Sequence, residues 1–128
     1  MKYSDEDIAI AEARMGRRPI NPIGQCFDSA AQAIVHQNHP SGFVLCHGIG
    51  ISNFPGQEGM KIRHAWCELP SEGVAYDTTW GKWIPIDHYR KLLQLNYVVT
   101  YTRTKTIKLW KKQGYSGPWD AKIREVGN

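Results

Sequence analysis

Residues Lys61–Trp80 read KIRHAWCELPSEGVAYDTTW. Two runs of strand-forming residues, Lys61 to Leu69 and Val74 to Trp80, flank Pro70-Ser71-Glu72-Gly73, whose Pro, Ser and Gly suit a turn. The expected unit is an antiparallel hairpin with Leu69 opposite Val74. Counting outward from the turn then sets Trp66 opposite Asp77 and His64 opposite Thr79. Side chains alternate across a strand, so His64, Trp66 and Glu68 share one face with Asp77 and Thr79. His64 and Asp77 become diagonal neighbours, about 7–8 Å apart at the backbone and within side-chain reach. A register slip of one residue would separate them.

Upstream, Phe43, Leu45, His47 and Ile49 alternate with Val44, Cys46, Gly48 and Gly50, the period of a strand whose glycines admit close backbone approach. Before that, Gly24-Gln25-Cys26 opens the strongest helical pattern in the chain. Phe27, Ala30, Ala31, Ile34 and Val35 recur at the spacing of a buried helical face, which is expected to end near Asn38-His39-Pro40-Ser41-Gly42. Ser4 to Gly16 reads as a further helix, with Ser4 as its cap. Arg17-Arg18-Pro19-Ile20-Asn21-Pro22 follows as a rigid connector, because each proline restricts itself and its predecessor. Ser52 to Gly59 is a polar loop.

Downstream, Asp87 is placed to cap a short helix reaching Leu93 or Leu95. Tyr97 to Ile107, rich in Val, Tyr and Thr, has strand propensity. The expected organisation is one α+β domain over 1–128. It comprises an N-terminal helix and connector (1–19), a core (20–107) and a basic C-terminal tail (108–128) with little periodicity after Lys111.

The bulk composition agrees with one folded unit. At 128 residues, 41% hydrophobic and 22% charged, the chain has the apolar content to bury a core and lacks the signature of disorder. No stretch approaches the ~18 apolar residues of a membrane span, and Met1 to Asp7 lacks an apolar signal region. The three cysteines, Cys26, Cys46 and Cys67, are odd in number and without C-x-x-C spacing, which argues against a disulfide framework or zinc ribbon. A reducing, cytoplasmic setting is expected. The net charge of +4 arises in the second half of the chain, where 10 Lys and Arg face 6 Asp and Glu, against 6 and 6 in the first. This balance suits an acidic partner or nucleic acid without requiring either.

A thiol is a good nucleophile only as thiolate, and a helix N-terminus and a neighbouring imidazole both favour that form. Cys26 has the first by its position after Gly24, where unpaired backbone N–H groups point out of the helix. The hairpin offers the second. A carboxylate at Asp77 can orient the His64 ring and stabilise its protonated form. Nucleophile, base and orienting group are therefore available for acyl transfer. The backbone N–H of Cys26 is the first candidate for binding the oxyanion, with the side chains of Asn21 and Gln25 just upstream.

Gly24-Gln25-Cys26 opening a helix, His64-Ala65-Trp66 on a strand and Tyr76-Asp77-Thr78-Thr79-Trp80 on the next resemble the Cys, His and Asp motifs of the transglutaminase-like branch of papain-like cysteine enzymes. The order matches, with 38 residues from Cys26 to His64 and 13 more to Asp77. The likeness covers roughly residues 20–100. Thr78 stands where many members carry Pro. The resemblance implies a Cys-bearing helix packed on an antiparallel sheet that carries the His and Asp. It implies catalysis by Cys26, His64 and Asp77 on a protein, peptide or small amide or ester substrate, without a cofactor.

Other residues have simpler expected roles. Cys67, on the strand face opposite His64, is expected in the core. His36, His39 and His47 suggest a metal site on paper. However, His47 and Cys46 point to opposite faces of a strand and no compact second ligand pair accompanies them, so no metal is expected. Trp66, and less so Trp80 and Trp83, are candidates to line a substrate groove. Arg103, Lys105, Lys108, Lys111 and Lys112 read as alternate basic residues on a strand and beyond, usually a solvated edge. The rival to catalysis is a binding module on the same scaffold, gripping an acidic protein or nucleic acid through Lys108, Lys111 and Lys112.

Overall fold

In the computed structural model, residues 25–36, 40–52, 56 and 58–126 are described. The expected N-terminal helix and connector, together with Asn21, Asn38 and His39, lie outside them. Helix α1 (Cys26–Val35) buries Ala30, Ala31 and Ile34, the face predicted from their spacing, and ends at Val35, where His36 turns extended. Strands β1 (Val44–Ile51) and β2 (Lys61–Leu69) pair antiparallel, and β2 turns through Pro70–Glu72 into β3 (Val74–Asp77). Gly73, in the left-handed region at φ 65°, closes that turn. The hairpin has Leu69 opposite Val74 and Cys67 opposite Tyr76, the register expected from the turn.

β3 is shorter than the Val74–Trp80 strand expected. The Asp77 carboxylate accepts the backbone N–H of Thr79 and Trp80, folding the chain into a turn that ends pairing. The turn leads into β4 (Lys82–Pro85), a strand the sequence reading did not anticipate. Helix α2 (Ile86–Leu92) follows, with Pro85 rather than Asp87 at its N-cap, and then β5 (Tyr97–Tyr101). The sheet is antiparallel throughout, in the order β4-β3-β2-β1-β5.

The expected strand Tyr97–Ile107 is half helix. Thr102 accepts a hydrogen bond from the Lys105 N–H and so caps helix α3 (Arg103–Gln113). Thr106, Leu109 and Trp110 face inward at helical spacing. The basic residues therefore lie on a helix, with Lys105, Lys108 and Lys112 along one stripe. The expected tail also contains helix α4 (Ala121–Arg124), capped by Asp120, whose Ile123 packs with Val126 and Ile49.

The two larger core clusters lie on opposite faces of the sheet. α1 and α3 cover Leu45, Ala65, Cys67, Leu69 and Tyr101, whereas α2 covers Cys46, Trp66, Ala75 and Ile84. Glycine is required where the second face is tightest. A Cβ on Gly48 would stand 2.7 Å from the Trp66 ring, and one on Gly50 would collide with the Leu93 carbonyl oxygen.

Candidate active site

The site forms where β3 stops pairing with β2. β3 covers β2 only from Leu69 to Cys67, and beyond that point the Ala65 backbone N–H is hydrogen-bonded to the sulfur of Cys26, the first residue of α1. The Cys26 sulfur is also hydrogen-bonded to the side chain of His64. Nε2 of His64 lies 2.9 Å from Oδ2 of Asp77. Helix start, middle strand and turn thus bring the three side chains predicted from sequence into one hydrogen-bonded line.

The line is nearly sealed from water: Cys26 is 5% exposed, His64 3% and Asp77 0%. Burial favours the neutral thiol, but His64 and the Ala65 N–H more than offset it and hold the Cys26 pKa below its usual value. Burial likewise disfavours the imidazolium, yet Cys26 and Asp77 together raise the His64 pKa. Asp77 stays low against its own burial because His64, Tyr89 and Thr79 stabilise its charge. The arrangement therefore favours thiolate, imidazolium and carboxylate side by side. Cys46 and Cys67 differ. Burial, with no such imidazole, pushes both thiols well up, and the Cys67 thiol donates a hydrogen bond to the Ala30 carbonyl oxygen.

No family model, curated protein or solved structure matches this chain.

The remaining candidates separate. Gln25 is exposed at the N-cap of α1, and its side chain makes no capping bond. Trp66 is fully buried, with its indole N–H donating to Glu68 at 2.9 Å, so it belongs to the core instead of a surface a substrate reaches. Its ring stacks on His64 at 6.2 Å. Trp80 is also buried, whereas Trp83 is 46% exposed and packs on Tyr76. His47 is enclosed by Phe27, Tyr101 and Trp119. Among the described residues no group of three His, Cys, Asp or Glu side chains is placed to hold a metal ion. No helix among them is long and apolar enough to cross a membrane.

Two features had no signal in the sequence. Tyr89 on α2 donates to Asp77 Oδ2 at 2.6 Å, and Arg90 makes a two-pronged pair with Glu68 at 2.9 and 2.7 Å. Neither lies near its partner in the chain, and neither belongs to a recognisable motif.

Proposed function

We propose that this chain is a cysteine-dependent acyl-transfer enzyme on a papain-like core of the transglutaminase-like branch. The observation that carries the reading is the buried, hydrogen-bonded line Cys26–His64–Asp77. His64 takes the Cys26 proton, and the thiolate attacks the carbonyl carbon of an amide or ester, forming a C–S bond. The developing oxyanion faces the backbone N–H of Cys26 at the start of α1, with the side chain of the preceding Gln25 as a further candidate donor. His64 then protonates the departing amine or alcohol as its bond to the carbonyl breaks, leaving a thioester. Water or a second amine, deprotonated by His64, releases the acyl group and regenerates the thiol. Asp77 keeps the imidazole oriented and its charge stabilised throughout.

The test is the reactivity of the sulfur. Iodoacetamide at neutral pH should modify Cys26 selectively, and Cys26→Ala should abolish the acyl adduct detected by mass spectrometry after incubation with an activated ester. If Cys26 reacts no faster than a free thiol, the proposal fails.

A second reading draws on α3. Lys105, Lys108, Lys111 and Lys112 are exposed, the helix contains no acidic residue, and none of the four has an ion-pair partner among the described residues. On this reading the scaffold holds an acidic protein or nucleic acid. Charge reversal at Lys108, Lys111 and Lys112 would then abolish the biological effect, while Cys26→Ala would leave it intact.

A further inference from the structure

Asp77 is a fully buried carboxylate with two donors on each oxygen. Oδ1 takes the backbone N–H of Thr79 at 2.8 Å and of Trp80 at 3.3 Å; Oδ2 faces His64 Nε2 at 2.9 Å and the Tyr89 hydroxyl at 2.6 Å. Three of these donors come from β2 or from the turn that Asp77 itself begins. The fourth, Tyr89, is brought by α2. A carboxylate held only at Oδ1 can still swing its other oxygen, and the hydroxyl closes that freedom on the oxygen facing the base.

The carrier is itself anchored. Arg90, next to Tyr89, is paired with Glu68, and Glu68 also accepts the Trp66 indole N–H. The Trp66 ring stacks on His64 and meets the Tyr89 ring at 5.5 Å. We propose that Tyr89 is a positioning residue of this site, holding Asp77 ionised and aimed at His64 from a helix outside the hairpin. Its catalytic meaning rests on the acyl-transfer reading above.

The hydroxyl is suited to the task because it stays a donor. Burial and the Asp77 charge push its own ionisation well above the usual tyrosine value. The titratable groups acting on Asp77 are His64 and Cys67 on β2, Cys26 on α1 and Tyr89 on α2, with the Glu68–Arg90 pair behind them. A hydrogen bond to a charged group stabilises it enough to move its titration by about one pH unit. A tyrosine that only filled space would change stability and leave titration where it was.

The experiment compares the whole chain with its Tyr89→Phe variant, following the Asp77 carboxyl carbon by NMR and Cys26 alkylation across pH. In Y89F the Asp77 titration should rise by about one pH unit. Alkylation should begin to fail at correspondingly higher pH, giving about fivefold lower reactivity where the native protein is half-maximal. A folded Y89F whose two curves superimpose on the native ones overturns the proposal, even if its melting temperature falls. Should Y89F not fold, 3-fluorotyrosine placed at position 89 keeps the hydroxyl and donates more strongly. It should move the Asp77 titration downward, and an unmoved titration overturns the proposal equally. If native Cys26 is no more reactive than a free thiol, the acyl-transfer reading fails, while the Asp77 titration still decides the role of Tyr89.

Discussion

Phe27 and His47 stand edge to face with ring centroids 4.7 Å apart, so the residue beside Cys26 forms one wall of a cage around a buried imidazole. Tyr101 and Trp119 supply other walls, and Gly117 packs so closely that a Cβ there would lie 2.6 Å from the ring. Among the described residues, both ring nitrogens of His47 lack hydrogen-bond partners. Burial lowers its pKa to about 3, with Asp120 pulling weakly the other way.

Acid should therefore unfold the protein partly through His47. An unfolded histidine takes a proton near pH 6.5, whereas the folded one stays neutral until about pH 3. Stability from this group is present above pH 6.5 and declines as pH falls, with a limiting slope of about 1.4 kcal/mol per pH unit. Urea unfolding of the native chain and of His47→Phe from pH 4.5 to 7.5 should show the difference. Parallel curves for the two proteins would contradict it.

Asp77→Asn keeps the size of the side chain and removes its charge, so His64 loses the partner that stabilises its imidazolium. The proposed acyl transfer should fall ~10²–10⁴-fold, and Cys26 alkylation should slow with it. Turnover within twofold of native would show that the carboxylate has no part in the chemistry.

Gly48→Ala tests the close packing of β1 against Trp66 on the α2 face. The added methyl meets the buried Trp66 ring at 2.7 Å and the Tyr97 carbonyl at 3.1 Å, and should destabilise by about 1–3 kcal/mol. Because Trp66 stacks on His64, Cys26 alkylation should slow as well. Denaturation midpoints equal to the native protein's would show that the strand adjusts freely.

Arg90→Ala leaves the buried Glu68 without its cation. Arg90 is itself about a third exposed, so the cost should be about 1–3 kcal/mol, below that of a fully enclosed pair. Adding Glu68→Gln to R90A should recover part of the loss, as a double-mutant cycle of melting curves would reveal. Full additivity of the two changes would mean that the pair is not coupled.

The hairpin was legible because turn composition and two-residue alternation agree on one register. Helix α1 was legible because its apolar spacing is uninterrupted. Together with chain order, these were enough to nominate Cys26, His64 and Asp77. The Tyr97–Gln113 region was misread because valine, tyrosine and threonine favour strands throughout Tyr97–Ile107. The change to helix is marked only by the Thr102 side chain capping the Lys105 N–H. β4 was obscured because Asp77 ends β3 with its own side chain, a tertiary choice that strand propensity does not register. Tyr89 reaches Asp77 only after α2 docks on the sheet, and no spacing within the chain announces that contact.

The charge arrangement around Cys26 also sets how the protein ages. Peroxide attacks thiolates, and Cys46 and Cys67 are buried as neutral thiols on either side of the sheet. Oxidative damage should thus begin at the one sulfur the helix start presents, as a sulfenic acid that a reductant reverses, long before the core thiols are touched.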